Sequence, residues 1–540
     1  MKRRTKIILI TLAALIVLGL ASLQFLRSSK SALAVGFRSF VRETLINFQL
    51  PKRQTPPEAP EGFVTIFDDY VGFAVNLPSD IKVLPAITEN LAQFANDNIK
   101  VTISKEWSTE DNVANYVAHY FNRFILDENF RAENDITLLA RDEIMGEGLS
   151  DAVILRLNGV TSGEYDTYLY YNVFTGTRYF YRIMVKYHYD YDGLGEILNS
   201  FRFYRADKGG AEPVTDFRPI LPETWSAETR ALYDKISVSD DVMWGIFSGN
   251  VEADGIDRDI PAMEAKLGAK FDVILTYEHL TYGGDRVPFP TEFMEKAYND
   301  GKIVELTYQL TDNNNEDMFV KSPSLDLYRT GDDEKIRRFA REAAAFGHPF
   351  LFRLNNEMNS DWTNWSGVVN LQDPDVYVEN WRTIYRIFQE EGANNAIWVW
   401  NPHDRSFPPA AWTDYLAYYP GNEYVQMLGI TGYNNGDYYA KRYGEFWREF
   451  DDIYGLITEE LGGKFDAFPW IITEFASSSY GGDKAKWIDG MFANIGKYER
   501  IKVAVWFSFA DFDENGVAAR PYWLDETDAT LEAFKRGLRG

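Results

Sequence analysis

The feature that most constrains this chain is a repeat of short apolar runs in its C-terminal part. Eight can be placed, at residues 242–247, 271–277, 303–310, 350–354, 396–400, 425–431, 470–473 and 503–509. Continuous apolar runs of this length suit strands buried on both faces, which is the situation of a parallel sheet. Helical periodicity fills the gaps, most clearly at 332–346 and 375–391. In the second, Val376, Trp381, Ile384, Tyr385 and Phe388 fall on one face. Eight strand–helix repeats in a stretch of this size predict an α/β chain whose main domain is a (β/α)8 TIM barrel.

A barrel of this kind places its chemistry where the chain leaves the C-terminal ends of the strands. The fourth run ends in Arg353-Leu-Asn-Asn356-Glu357-Met358-Asn359, with Trp362 and Trp365 just beyond; the seventh ends in Ile472-Thr473-Glu474-Phe475. Two carboxyl groups at the mouths of two buried strands are what glycoside hydrolysis needs. One protonates the departing oxygen, and the other attacks the anomeric carbon or activates water. Flat indole faces beside them suit sugar rings.

The pattern Arg353-x-x-x-Glu357-Met358-Asn359-x-x-Trp362, followed by Ile472-Thr473-Glu474-Phe475, resembles glycoside hydrolase family 26. These clan A barrels include β-mannanases, mixed-linkage β-glucanases and β-1,3-xylanases, and the resemblance covers roughly residue 242 to the C-terminus. The family usually carries His before the acid/base Glu. Asn356 stands there in this chain, as is commoner across the wider clan. The resemblance implies Glu357 as acid/base, Glu474 as nucleophile, and retention of anomeric configuration. It also implies that Tyr433 bonds the nucleophile, that Arg353 lies near it, and that Trp362 and Trp506 contact sugar. With Asn356 these form the expected substrate-binding set. A barrel-core indole is the competing reading for Trp506 and the favoured one for Trp398 and Trp400.

Other chemistries find little support. The five histidines, His119, His188, His279, His348 and His403, lack metal-ligand spacing, and no nucleophile elbow or phosphate-binding Gly-Lys-Ser/Thr loop occurs. Residues 511–516 begin like a calcium loop, but the twelfth position is Tyr522 where a bidentate Glu is required. No metal and no cofactor are expected. A net charge of −26 argues against nucleic acid, because the cationic excess that neutralises phosphates is missing. A neutral polysaccharide would not be repelled.

The N-terminal half reads in pieces. Lys2, Arg3, Arg4 and Lys6 precede an uncharged apolar run, 7–25, about as long as a bilayer-spanning helix. A cleaved signal peptide, cut near Ala21-Ser22, competes with an uncleaved signal anchor. The length of the run favours the anchor, and the basic cluster before it places the bulk of the chain outside the cell membrane. Residues 1–30 are thus read as a basic stub and single-pass anchor, and 31–62 as an amphipathic segment and a Pro-rich spacer. An α+β accessory domain follows at 63–205, with a hairpin at 165–174 and 178–185, then a Gly-Gly linker at 206–216 and the barrel at 217–540. Because every candidate site residue lies beyond the linker, the part before it is expected to be dispensable for catalysis.

Two functions from different classes fit this organisation. One is a membrane-anchored, extracellular, retaining endo-β-glycanase acting on a mannan or β-glucan, in a role linked to a polysaccharide the cell exports. The other is a catalytically inactive carbohydrate-binding or polysaccharide-assembly protein on the same barrel.

Overall fold

The computed structural model describes residues 49–88, 90–108, 110–120, 124–142, 150–206, 217–249, 251–313 and 319–539. The expected anchor at 7–25, most of the amphipathic segment and residues 207–216 of the linker lie outside the described residues. Among the described residues no helix is long and apolar enough to cross a membrane.

Eight parallel strands close the barrel: β1 (Met243–Phe247), β2 (Val273–Tyr282), β3 (Ile303–Asp312), β4 (Phe350–Leu354), β5 (Ala396–Trp400), β6 (Met427–Thr431), β7 (Trp470–Phe475) and β8 (Ile501–Phe507). They pair in chain order, and β1 completes the ring by pairing with both β2 and β8. Alternation along the strands separates two cores. Val273, Leu275, Ile303, Leu351, Ile397, Val399, Met427, Ile471, Val503 and Val505 fill the barrel interior. Their neighbours, such as Ile274, Phe352, Trp398 and Ile472, pack outward against the helices. At Gly245 a Cβ would come within 2.9 Å of Val273 and Val505, so glycine is what lets these strands meet. The fourth and fifth strands have the expected bounds. The second and third run further, because they stay paired beyond the rim as far as Thr281 and Asp312.

The helices follow from their caps and stripes. In α1 (Glu334–Phe346), Asp333 accepts the Lys335 amide at the start and Gly347, at φ 75°, ends it, while Ile336, Phe339, Ala340 and Ala343 bury one face. In α2 (Pro374–Glu390), Asp373 accepts the Asp375 amide and Pro374 opens the first turn. Each such cap contributes about 1 kcal/mol.

Before the barrel lies a seven-stranded antiparallel sheet, and a smaller sheet of Phe63–Asp68, Phe73–Pro78 and Arg202–Phe203. The expected hairpin is present as Thr167–Phe174 and Tyr179–Tyr187. Every residue of Tyr179–Tyr187 is buried. Tyr181, Ile183, Val185 and Tyr187 face a core shared with Val75, Leu77 and Phe201, whereas Phe180 and Met184 face a second core shared with the barrel's Leu325, Tyr328, Val369, Leu371 and Val376. A strand covered on both sides, with one side shared with barrel residues, means that this sheet is docked on the barrel.

Candidate active site

Above the apolar interior the barrel carries a polar layer. Arg353 projects inward from β4, one step above Leu351, and is fully buried. Its Nε donates to Thr307 Oγ1 at 2.7 Å and one terminal nitrogen to Asn401 Oδ1 at 3.1 Å. That same nitrogen forms an ion pair with Glu474 Oε1 at 2.6 Å, and Glu305 Oε1 lies 3.2 Å from Nε. Its guanidinium also lies 5.4 Å from the centre of the Tyr277 ring. A guanidinium in so dry a place needs this set of partners, since an unpaired buried charge would cost several kcal/mol.

Glu357 reaches the same layer through an unusual backbone. Asn355 and Glu357 both adopt positive φ, 47° and 56°. Left-handed conformations at residues other than glycine cost about 1–3 kcal/mol each and persist only where the surroundings enforce them. Here the Asn355 side chain accepts the Leu310 amide at 2.9 Å, and the Glu357 amide donates to the Asn401 carbonyl at 2.8 Å. Trp362 Nε1 donates to Glu357 Oε2 at 2.7 Å, and its ring, 39% exposed, rests against His403 and Phe407.

Glu474 arrives by a different route. On β7, Ile472 and Phe475 both face the helix layer, so two residues, Thr473 and Glu474, lie between them on the inner side. Regular alternation would turn Glu474 outward. The pairing shifts register between Ile430 and Thr431 on one side, and between Ile472 and Phe475 on the other. This irregularity re-aims the carboxylate into the barrel mouth. There Tyr433 donates its hydroxyl to Glu474 Oε2 at 2.7 Å.

The two carboxyl groups therefore sit in different surroundings. Burial, and then repulsion from Glu474, push the Glu357 pKa up to about 8, against the opposing pull of Trp362 and Arg353. Glu357 is protonated at neutral pH and can donate to an oxygen. Glu474 is paired with the Arg353 guanidinium and accepts the Tyr433 hydroxyl. Burial, and then the charge of Glu474, raise the Tyr433 pKa well above its ordinary value, so its hydroxyl stays a donor.

Of the expected site residues, Glu357, Glu474, Trp362 and Tyr433 come together in this way. Arg353, expected to bind substrate, has no exposed surface, and its nitrogens serve Glu474 and the barrel interior instead. Asn356 is buried; its side-chain oxygen accepts from Gln309 Nε2 at 2.9 Å and its carbonyl from Trp365 Nε1 at 2.7 Å. Trp506 is not a sugar platform. It alternates outward from β8, packs on Phe475, Trp487 and Phe534, and donates to the Tyr522 carbonyl. Period-two alternation puts Phe507 inward instead, against Phe247 and Tyr433, and that alternation could have been read from 501–507. Trp398 and Trp400 also belong to the helix-side core.

Sequence reasoning missed Glu305, a carboxyl inside an otherwise apolar strand. It faces Arg353, and burial pushes its pKa up to about 8. Asn401 and Thr307, which hold Arg353, were missed as well. The calcium-like loop at 511–516 is a turn: Asp513 accepts the Asn515 and Val517 amides and the Tyr438 hydroxyl. Among the described residues no group of three or more His, Asp or Glu side chains is placed to hold a metal ion.

A closed (β/α)8 barrel with one carboxyl group after β4 and a second, guanidinium-bound, on β7 is the arrangement that glycoside hydrolysis by two carboxyl groups requires. Residues 310–459, a segment of the barrel, match the model of glycosyl hydrolase family 26. The matched segment contains Glu357 and ends before Glu474. The chain is 30% identical over 253 residues to Endoglucanase H of Acetivibrio thermocellus, covering 46% of this chain and 26% of that protein. It is 34% identical over 106 residues to a mannan endo-1,4-beta-mannosidase of Bacillus subtilis, covering 18% and 27%. It thus spans about a quarter of the length of these relatives. Among solved structures, a family 26 beta-mannanase from Bacteroides ovatus superposes with a TM-score of 0.45 at 17% identity, covering 58% of this chain and 94% of that one.

Proposed function

We propose that this chain is a retaining endo-β-glycanase that hydrolyses a mannan or β-glucan by double displacement. The observation that carries the reading is the contrast between the surroundings of the two carboxyls, with the Glu357 pKa pushed up to about 8 while Glu474 is ion-paired to Arg353 and bonded by Tyr433. Glu357 protonates the departing glycosidic oxygen as Glu474 attacks the anomeric carbon. A water then enters, Glu357 takes its proton, and the sugar leaves Glu474. Trp362 orients the acid through its indole N–H and offers a half-exposed face to the sugar on the leaving side. The named activities of the two relatives support mannan and β-glucan as the polymers to try first.

The membrane placement belongs to the same proposal and rests on the basic cluster and the apolar run at 7–25. A tethered enzyme acts near its own cell surface, which favours a polysaccharide that the cell exports. The test is incubation of the detergent-extracted full chain with mannan, mixed-linkage glucan and xylan, with the first-formed anomer followed by NMR. Retained configuration on one polymer supports the reading; binding without cleavage of any of them supports the inactive alternative. A high-salt wash that leaves the chain with the membranes supports the anchor, and a mature form beginning near residue 22–30 rejects it.

A further inference from the structure

The loop that carries the acid is held at its far end by the N-terminal sheet. Among the described residues, five that are not glycine adopt positive φ, and four of them bracket this loop: Asn355 and Glu357 where it leaves β4, Leu371 (60°) and Gln372 (51°) where it enters α2. The first pair is held by the barrel. The second pair is held from outside it. Tyr170 donates its hydroxyl to the Leu371 carbonyl at 2.6 Å, Arg182 donates to Gln372 Oε1 at 2.6 Å, and Gln372 Nε2 donates to the Tyr120 carbonyl at 2.6 Å. One residue on, Asp373 caps α2 with one oxygen and receives Lys186 Nζ on the other at 3.0 Å. Lys186 also pairs with Asp375, which Lys100 contacts at 2.6 Å.

These groups are built for that contact. Lys100, Lys186 and Arg182 lie on one face of adjacent paired strands, Lys100 opposite Lys186 and Ser104 opposite Arg182. Tyr170 lies on the next strand, opposite Met184. The side chains of Lys186 and Asp373 are each 1% exposed. Buried charges of this kind are kept only where their partners are fixed, and here the partners of Lys186 are Asp373 and Asp375, directly after the strained Leu371 and Gln372 that end the loop.

We propose that the N-terminal sheet is a template for the acid-bearing loop, with Lys186, Arg182 and Tyr170 as positioning residues for Glu357, so that sheet and barrel form one catalytic unit. This deepens the glycanase reading and rests on it. It also reverses the expectation that the part before the linker is dispensable. None of the three residues touches substrate. Each acts through the backbone of 371–373, and through it on the placement of Glu357 and Trp362.

The experiment uses the full chain carrying Lys186→Met, with Tyr170→Phe as a milder variant that removes a single hydroxyl, and Lys186→Arg as the conservative control. Two readouts are compared with the parent. The first is kcat on polysaccharide against the first step on a dinitrophenyl glycoside, whose leaving group needs no proton. A misplaced acid lowers the former by on the order of 10²-fold in Lys186→Met, since small displacements at a reacting centre cost about that much, and lowers the latter no more than about twofold. Lys186→Arg restores most of the loss. The second readout is hydrogen exchange, which needs no substrate: amides of 355–373 exchange faster in both Lys186→Met and Tyr170→Phe, while those of 470–475 do not. Equal losses on both substrates, or unchanged exchange in 355–373, overturn the proposal. If the parent cleaves nothing, the glycanase reading fails by itself, and the exchange arm still decides whether the sheet holds the loop.

Discussion

The two strand exits that carry Glu357 and Glu474 make an instructive pair. Both end a buried apolar strand, and both present a glutamate to the same barrel mouth. The β4 exit uses left-handed backbone and a long loop and bonds its carboxyl to an indole donor; burial and the neighbouring Glu474 push that carboxyl's pKa up, against the pull of Trp362 and Arg353. The β7 exit uses a local irregularity in a short strand and lands its carboxyl on a guanidinium and a phenol. One residue type thus meets two different surroundings, which is what the two proposed roles require.

The largest expected effect tests whether the roles differ at all. Glu474→Ala removes the proposed nucleophile, so turnover of polysaccharide and of dinitrophenyl glycoside should both fall, on the order of 10⁵-fold or more. An activated substrate still turned over at the parent rate would mean that Glu474 is not the attacking group.

Glu357→Ala should separate the two substrates. Cleavage of polysaccharide should fall by about 10²–10⁴-fold, the usual worth of general acid catalysis, while the first step on the aryl glycoside is spared. The glycosyl-enzyme then accumulates for want of a base. Azide should speed its turnover and yield a glycosyl azide of retained configuration. Equal losses on both substrates would erase the contrast between the exits.

A smaller effect concerns pH. Glu357 must be protonated to act, and its pKa is pushed up to about 8, so kcat on polysaccharide should fall as pH rises through about 8. The dinitrophenyl substrate should lack that limb in its first step. Trp362 bonds the carboxyl in a way that lowers its pKa, so Trp362→Phe should move the basic limb to higher pH. A shift to lower pH would contradict the hydrogen bond's role.

The smallest effect lies beneath the pair. Glu305 shares Arg353 with Glu474, yet burial holds its pKa near 8, well above the ordinary carboxyl value. A raised carboxyl pKa stabilises the fold fully below the unfolded value and loses that contribution as pH climbs through about 8. Glu305→Gln should therefore gain in Tm relative to the parent between pH 4.5 and pH 8, with little change in kcat at pH 6. A constant Tm difference across that range would show that the Glu305 pKa is not raised in the folded state.

The sequence by itself determined the barrel and its two glutamates. A strand buried on both faces must be apolar throughout, so the eight runs stood out, and the polar residues that interrupt them at Glu357 and Glu474 marked the strand exits. Alternation could also have separated Phe507 from Trp506. Only the tertiary structure decided how each glutamate is aimed. No residue pattern announces the irregularity at Thr473-Glu474, because a local register shift depends on how three strands pair. The positive φ values at Asn355, Glu357, Leu371 and Gln372 occur without glycine, so strain of that kind leaves no compositional trace. The contacts that hold its far end come from residues nearly two hundred positions earlier, such as Lys186 with Asp373. Pairing between charges so far apart along the chain is a property of how two sheets dock, and no periodicity within either segment encodes it.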